Sequence, residues 1–108
     1  MPSCFIAMPI GTPDSSQYQG DRDHFKHVLE HLFVPAIEMA GMNPVRPVVK
    51  GSDLIHAEII KQLETAELVL CDISTLNANV FFELGIRTAL NRPVCIIRDE
   101  LTSIIGAL

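Results

Sequence analysis

Apolar runs that scarcely alternate recur along this chain, and between them the apolar residues switch to helical spacing. CFIAM (4–8) reads as a short strand closed by Pro9 and Gly11. The polar loop GTPDSSQYQGDR follows and is longer than a usual strand-to-helix connection. Over 23–40 the spacing is helical: at about 100° per residue, Phe25, Val28, Leu29, Leu32, Ala36 and Ala40 share one face. Pro35 should kink that helix and Gly41 should end it. NPVRPVV (43–49) is a weaker strand between prolines, and Ser52 or Asp53 can cap a helix over 53–66. ELVLCDI (67–73) reads as a buried strand, STLNA as a turn, 79–90 as a helix and RPVCIIR (92–98) as a fourth strand.

The order βαβαβαβ implies parallel strands with right-handed crossovers, and strand runs without alternation imply a sheet covered on both faces. A chain of 108 residues makes one domain, spanning 1–108. Residues 99–108 read as a helix barely begun, so further chain or a partner is expected to cover the open sheet edge. The chain is 48% hydrophobic and only 19% charged, which for its size points to surface that a partner covers. A net charge of −5 argues against binding a nucleic-acid backbone. No apolar run reaches membrane-spanning length, and no signal peptide is read ahead of the first strand. Cys4, Cys71 and Cys95 lie in strand-like apolar runs with no CxxC, which reads as three buried thiols of a cytoplasmic protein.

In an open parallel sheet, ligands bind beyond the carboxyl ends of the strands, where the strand order reverses. The loops after Met8, Val49 and Asp72, and the tail after Arg98, should gather there. NANVFFELG (77–85) opens the helix after the third strand, and within it Glu83 stands between Phe82 and Leu84. This reading puts Glu83 in the first helical turn, facing the crevice. A dipole-favoured surface acid is worth about 0.3–1 kcal/mol, and a pair with Arg87 at i,i+4 about 0.2–0.5 kcal/mol. Both need a solvated face, whereas Val80, Phe81, Phe82, Leu84, Ile86, Ala89 and Leu90 should cover almost the whole circumference. No capping box explains the acid either, because the residues three after Asn77 and Asn79 are Val80 and Phe82. A carboxylate in such company is costly unless a site uses it.

These stretches carry a resemblance. FIAMPIG, AELVLCDIS and NANVFFELGIRTAL followed by RPVCII, covering 4–98, resemble the nucleoside 2-deoxyribosyltransferase-like group. NVFFELG in particular resembles the bacterial TIR-like domains that cleave NAD. The resemblance implies a flavodoxin-like three-layer α/β sandwich around a parallel sheet of four to five strands. It further implies cleavage of an N-glycosidic bond to ribose or deoxyribose, with NAD as a substrate rather than a cofactor. Glu83 matches the glutamate that attacks C1′ or stabilises positive charge there. Asp72 matches the second acidic position and would orient ribose hydroxyls or donate a proton; its plain alternative is to cap the STLN turn. Asn77 and Asn79 would bind sugar or phosphate, or cap the helix. The transferases often carry an aspartate where asparagines stand here. Met8, Pro9, Ile10 and Gly11 would wall the base or nicotinamide pocket. A homo-oligomer that completes its pocket across subunits is implied as well, in a defence system switched on by assembly.

Other residues admit roles without requiring them. His24, His27 and His31 fall in a narrow arc opposite the apolar face and read as a surface stripe rather than a metal site. His56 reads as a satisfied core histidine. Arg46 and Lys50 could meet a phosphate, and Tyr18 could stack on a base. The chain carries no Walker loop, GxGxxG, GxSxG or HExxH, which excludes ordinary kinases, Rossmann dehydrogenases, serine hydrolases and zincins.

Overall fold

The computed structural model describes residues 1–9, 18, 21–47 and 53–100, with only the backbone for 53–56. The expectations for Ile10, Gly11 and Lys50, and for the side chains of Asp53 and His56, lie outside the described residues. Strand β1 (Ser3–Ala7) leads to α1 (His24–Val28), a π-helical turn (Leu29–Phe33) and α2 (Val34–Met39). Then come β2 (Asn43–Val45), α3 (Asp53–Thr65), β3 (Leu68–Asp72), a 3-10 turn (Ser74–Leu76), α4 (Ala78–Ala89) and β4 (Val94–Ile97). The strands form one parallel sheet in the order β2-β1-β3-β4. It is a flavodoxin-like α/β sandwich of the expected class, with four strands among the described residues.

Strand alternation divides the core in two. Cys4, Ile6 and Met8 meet Phe25, Phe33, Val34 and Ile37 on the α1–α2 side. Phe5, Ala7, Val69, Cys71 and Ile73 meet Leu63, Ala66 and Val80 on the α3–α4 side. Each strand is apolar on both faces, which is why its sequence does not alternate. Phe5, Ile6, Val69 and Leu63 are essentially fully buried; each such side chain contributes about 1.5–3 kcal/mol through removal from water.

Pro35 interrupts the helix as expected: it lacks an N–H for the carbonyl of His31, and the preceding turn is a π segment. A π turn adds one residue, so the apolar face shifts by one position beyond it. Phe33 and Ile37 are buried, whereas Leu32, expected on the core face, is 58% exposed and Ala36 and Ala40 are exposed. Cys4 and Cys71 are buried as expected, but Cys95 is exposed, because β4 is the edge strand. No described helix is long and apolar enough to cross a membrane.

Candidate functional site

The strand order reverses between β1 and β3, so the crevice expected of this architecture opens beyond Ala7 and Asp72. Asn77 caps α4: its Oδ1 accepts the Asn79 amide at 2.9 Å and the Val80 amide at 3.3 Å. The side chain of Asn79 is exposed and takes no part in the cap. With Ala78 as the first helical residue, Glu83 sits in the second turn of α4 and not the first. It is therefore beyond the stretch where the helix dipole favours an acid.

The consequence is electrostatic. Burial pushes the Glu83 carboxyl up to about 7, with no opposing pull. No hydrogen bond or ion pair joins it to another described residue. The pairing with Arg87 does not exist, because Arg87 is fully buried and turned the other way. Its guanidinium donates to the carbonyls of Leu63 and Ala66, both at 2.8 Å, and of Pro93 at 3.0 Å. It thereby fastens α4 to the end of α3 and the start of β4. Spacing alone does not separate a buried arginine four residues after a glutamate from a surface partner of it. The negative charge of Glu83 bears on Cys71, whose thiol is pushed up to about 12 mainly by burial. Glu83 thus lies near the end of β3, on the helix that packs on the α3–α4 side.

Asp72 belongs to the other face. Alternation from Leu70 and Cys71 turns its side chain toward the α1–α2 layer. It is 3% exposed, and its Oδ1 accepts the Ser74 amide at 3.0 Å. Burial raises its pKa first; hydrogen bonds from Ser74 oppose that, Asp99 adds to it, and His24 pulls it down. The Ser74 hydroxyl accepts the Asp99 amide at 2.9 Å, and Asp99 Oδ2 accepts the Tyr18 hydroxyl at 2.7 Å. Asp72, Ser74, Asp99 and Tyr18 therefore tie the tips of β3 and β4 to the α1 side. Between them and the α4 cap, Thr75 and Leu76 hold φ of 61° and 53°, a left-handed elbow that non-glycine residues adopt at a cost.

Tyr18 is buried, with His24 stacked on its ring at 4.0 Å and Phe25 against its edge at 5.4 Å. His24 consequently belongs to the strand tip and not to a surface stripe with His27 and His31. His27 bonds Asp21 at 3.1 Å in solvent. Arg46 is held by Glu30 through Nε at 2.9 Å and Nη2 at 3.1 Å. Met8 and Pro9 are buried, Met8 within the α1–α2 core. Among the described residues no group of three or more His, Cys, Asp or Glu side chains could hold a metal ion. The roles of Ser74, Asp99 and His24 were not legible in sequence, since strand order alone brings them together.

Compared with known families and curated proteins, the chain matches no protein-family model and no curated sequence.

Proposed function

We propose that this protein cleaves the N-glycosidic bond of a nucleotide, with Glu83 attacking C1′ and NAD as the substrate. The observation that carries this reading is the Glu83 carboxylate: half-buried, held by no described partner and raised to about 7 by burial. A structural acid would have had its charge matched, as Arg46 does for Glu30. A carboxylate left unmatched in an apolar wall suits a site where positive charge forms during reaction.

In the reaction, a Glu83 oxygen forms a bond to C1′ as the C1′–N bond breaks, and the bond pair leaves on nicotinamide. Water then adds to C1′, the carboxylate departs, and the water proton is released. Before binding, Glu83 is about half ionised near pH 7. The cationic nicotinamide-riboside favours the ionised form, so substrate binding itself charges the nucleophile. Asp72 in this reading shapes the strand tip from the opposite face. Nicotinamide leaves from a cationic state and needs no proton, which suits a glutamate whose pKa no other described charge alters.

One observation favours a second substrate class. Burial raises the Asp72 pKa, against the pull of the Ser74 hydrogen bonds, and an acid at the strand tips would serve a neutral nucleobase leaving a deoxynucleoside or its monophosphate, by hydrolysis or by transfer. A homo-oligomer and a cytoplasmic role in defence accompany the first reading and rest on the resemblance. The test is chromatographic. The purified protein is incubated separately with NAD and with each deoxynucleoside and deoxynucleoside monophosphate, and nicotinamide or free base is measured. Nicotinamide release that Glu83→Gln abolishes is expected. Base release from a deoxynucleoside alone transfers the assignment to the second class. Silence with every substrate at high protein concentration removes the enzymatic reading and leaves a binding or assembly module.

A further inference from the structure

Among the described residues, the turn from β3 into α4 is the one place where two consecutive residues other than glycine hold left-handed backbone. Thr75 has φ 61° and ψ 5°, and Leu76 has φ 53°. Asn91, with φ 54°, stands alone and is of a type that visits this region readily. A branched or bulky side chain makes the conformation costly, and glycine would relieve it. The chain keeps threonine and leucine there instead.

Packing does not account for that choice. Both residues are exposed, Leu76 at 39%, whereas Ile73 and Ser74 before them and Val80 after them are buried. What fixes the turn is the hydrogen bonding around it. Asp72 Oδ1 accepts the Ser74 amide, the Leu76 amide donates to the Ile73 carbonyl at 3.0 Å, and Asn77 caps the helix that follows. Strain held in place from both sides is characteristic of ligand clamps and active sites. The position agrees. The turn leaves the carboxyl end of β3, beside β1 where the strand order reverses, and leads into the helix that bears Glu83.

We infer that Leu76 is a substrate-binding residue at the rim of this crevice, where its side chain packs on the flat face of the nucleotide's base. A leucine exposed to water on a strained backbone gains its contact only when an apolar surface arrives, and the base is the part of a nucleotide that offers one. The choice of a nucleotide rests on the reaction proposed above; the place of the rim does not. Contact with the base is made alike before and during bond cleavage, so Leu76 governs KM rather than kcat.

Leu76→Gly separates this role from a structural one. Glycine accepts the left-handed backbone, so the variant should melt no lower than wild type. With the substrate that turns over, its KM should rise about tenfold while kcat changes little. Leu76→Met, which restores an apolar side chain, should recover most of that loss. A second measurement needs no turnover. In Glu83→Gln protein, the Leu76 methyl resonances, assigned by their loss in Leu76→Met on the same background, should move upfield under the ring current of a bound base. NAD and each deoxynucleoside monophosphate are added in turn to about 10 mM. Turnover with KM unchanged in Leu76→Gly, or methyl groups unmoved by every nucleotide, would overturn the assignment and leave the role of Glu83 standing. Methyl groups that shift in a protein silent with every substrate would uphold the rim and remove the catalytic reading alone.

Discussion

Replacing Glu83 by glutamine should weaken catalysis and strengthen the fold together. A glutamate in the unfolded chain titrates near 4.5, and in the folded protein burial raises Glu83 to about 7. Below pH 4.5 both states hold the proton and burial adds no cost. Between 4.5 and about 7 the unfolded chain ionises while the folded one keeps its proton, so this group lowers stability as pH rises. Above about 7 the full cost is present. At about 1.4 kcal/mol per pH unit, the rise corresponds to roughly 3 kcal/mol. The carboxylate keeps some contact with water, so we expect about 1–2 kcal/mol to remain after screening. Glutamine keeps the shape and carries no charge. Glu83→Gln should therefore melt about 5–10 °C above wild type at pH 8, and the gap should shrink toward zero as pH falls to about 5. Scanning calorimetry at both pH values measures this, and the same samples assayed with NAD should show turnover reduced by roughly a thousandfold or more. A variant no more stable than wild type at pH 8 would mean that the carboxylate is not buried against its neighbours. The electrostatic basis for its role would go with it.

The pH dependence of kcat/KM for NAD should rise about tenfold per pH unit below about 7 and level above it, since the free protein must ionise Glu83 to react; a profile flat from pH 5 to 8 would contradict this. Arg87→Ala should lower stability by roughly 3–5 kcal/mol in urea titrations, because three carbonyls lose their donor and a buried space opens. Arg87→Lys should recover only part, as an ammonium cannot reproduce the planar fork. Asn77→Ala should cost about 1 kcal/mol through loss of the α4 cap, while Asn79→Ala should change thermal stability little.

What the chain's own pattern determined is the layered α/β architecture. Unalternating runs such as LVLCD demand cover on both sides, and helices between strands demand parallel pairing, so local chemistry was enough. Asn77 as a helix cap and Glu83 as an unusual acid were legible for the same reason: short-range hydrogen bonding and the identity of adjacent residues. Three things waited for the tertiary structure. The π turn before Pro35 moved the buried face from Leu32 to Phe33, a shift that periodicity cannot register because it assumes a constant turn. Arg87 found its partners on other elements, the carbonyls of Leu63 and Ala66, and Ser74 met Asp99, contacts that only the strand order brings together, whereas the bond from the Ser74 amide to Asp72 is the local turn cap the sequence offered. The exposure of Phe81 and Phe82 was hidden too, since composition tells how apolar a helix is and only packing decides which side finds a neighbour.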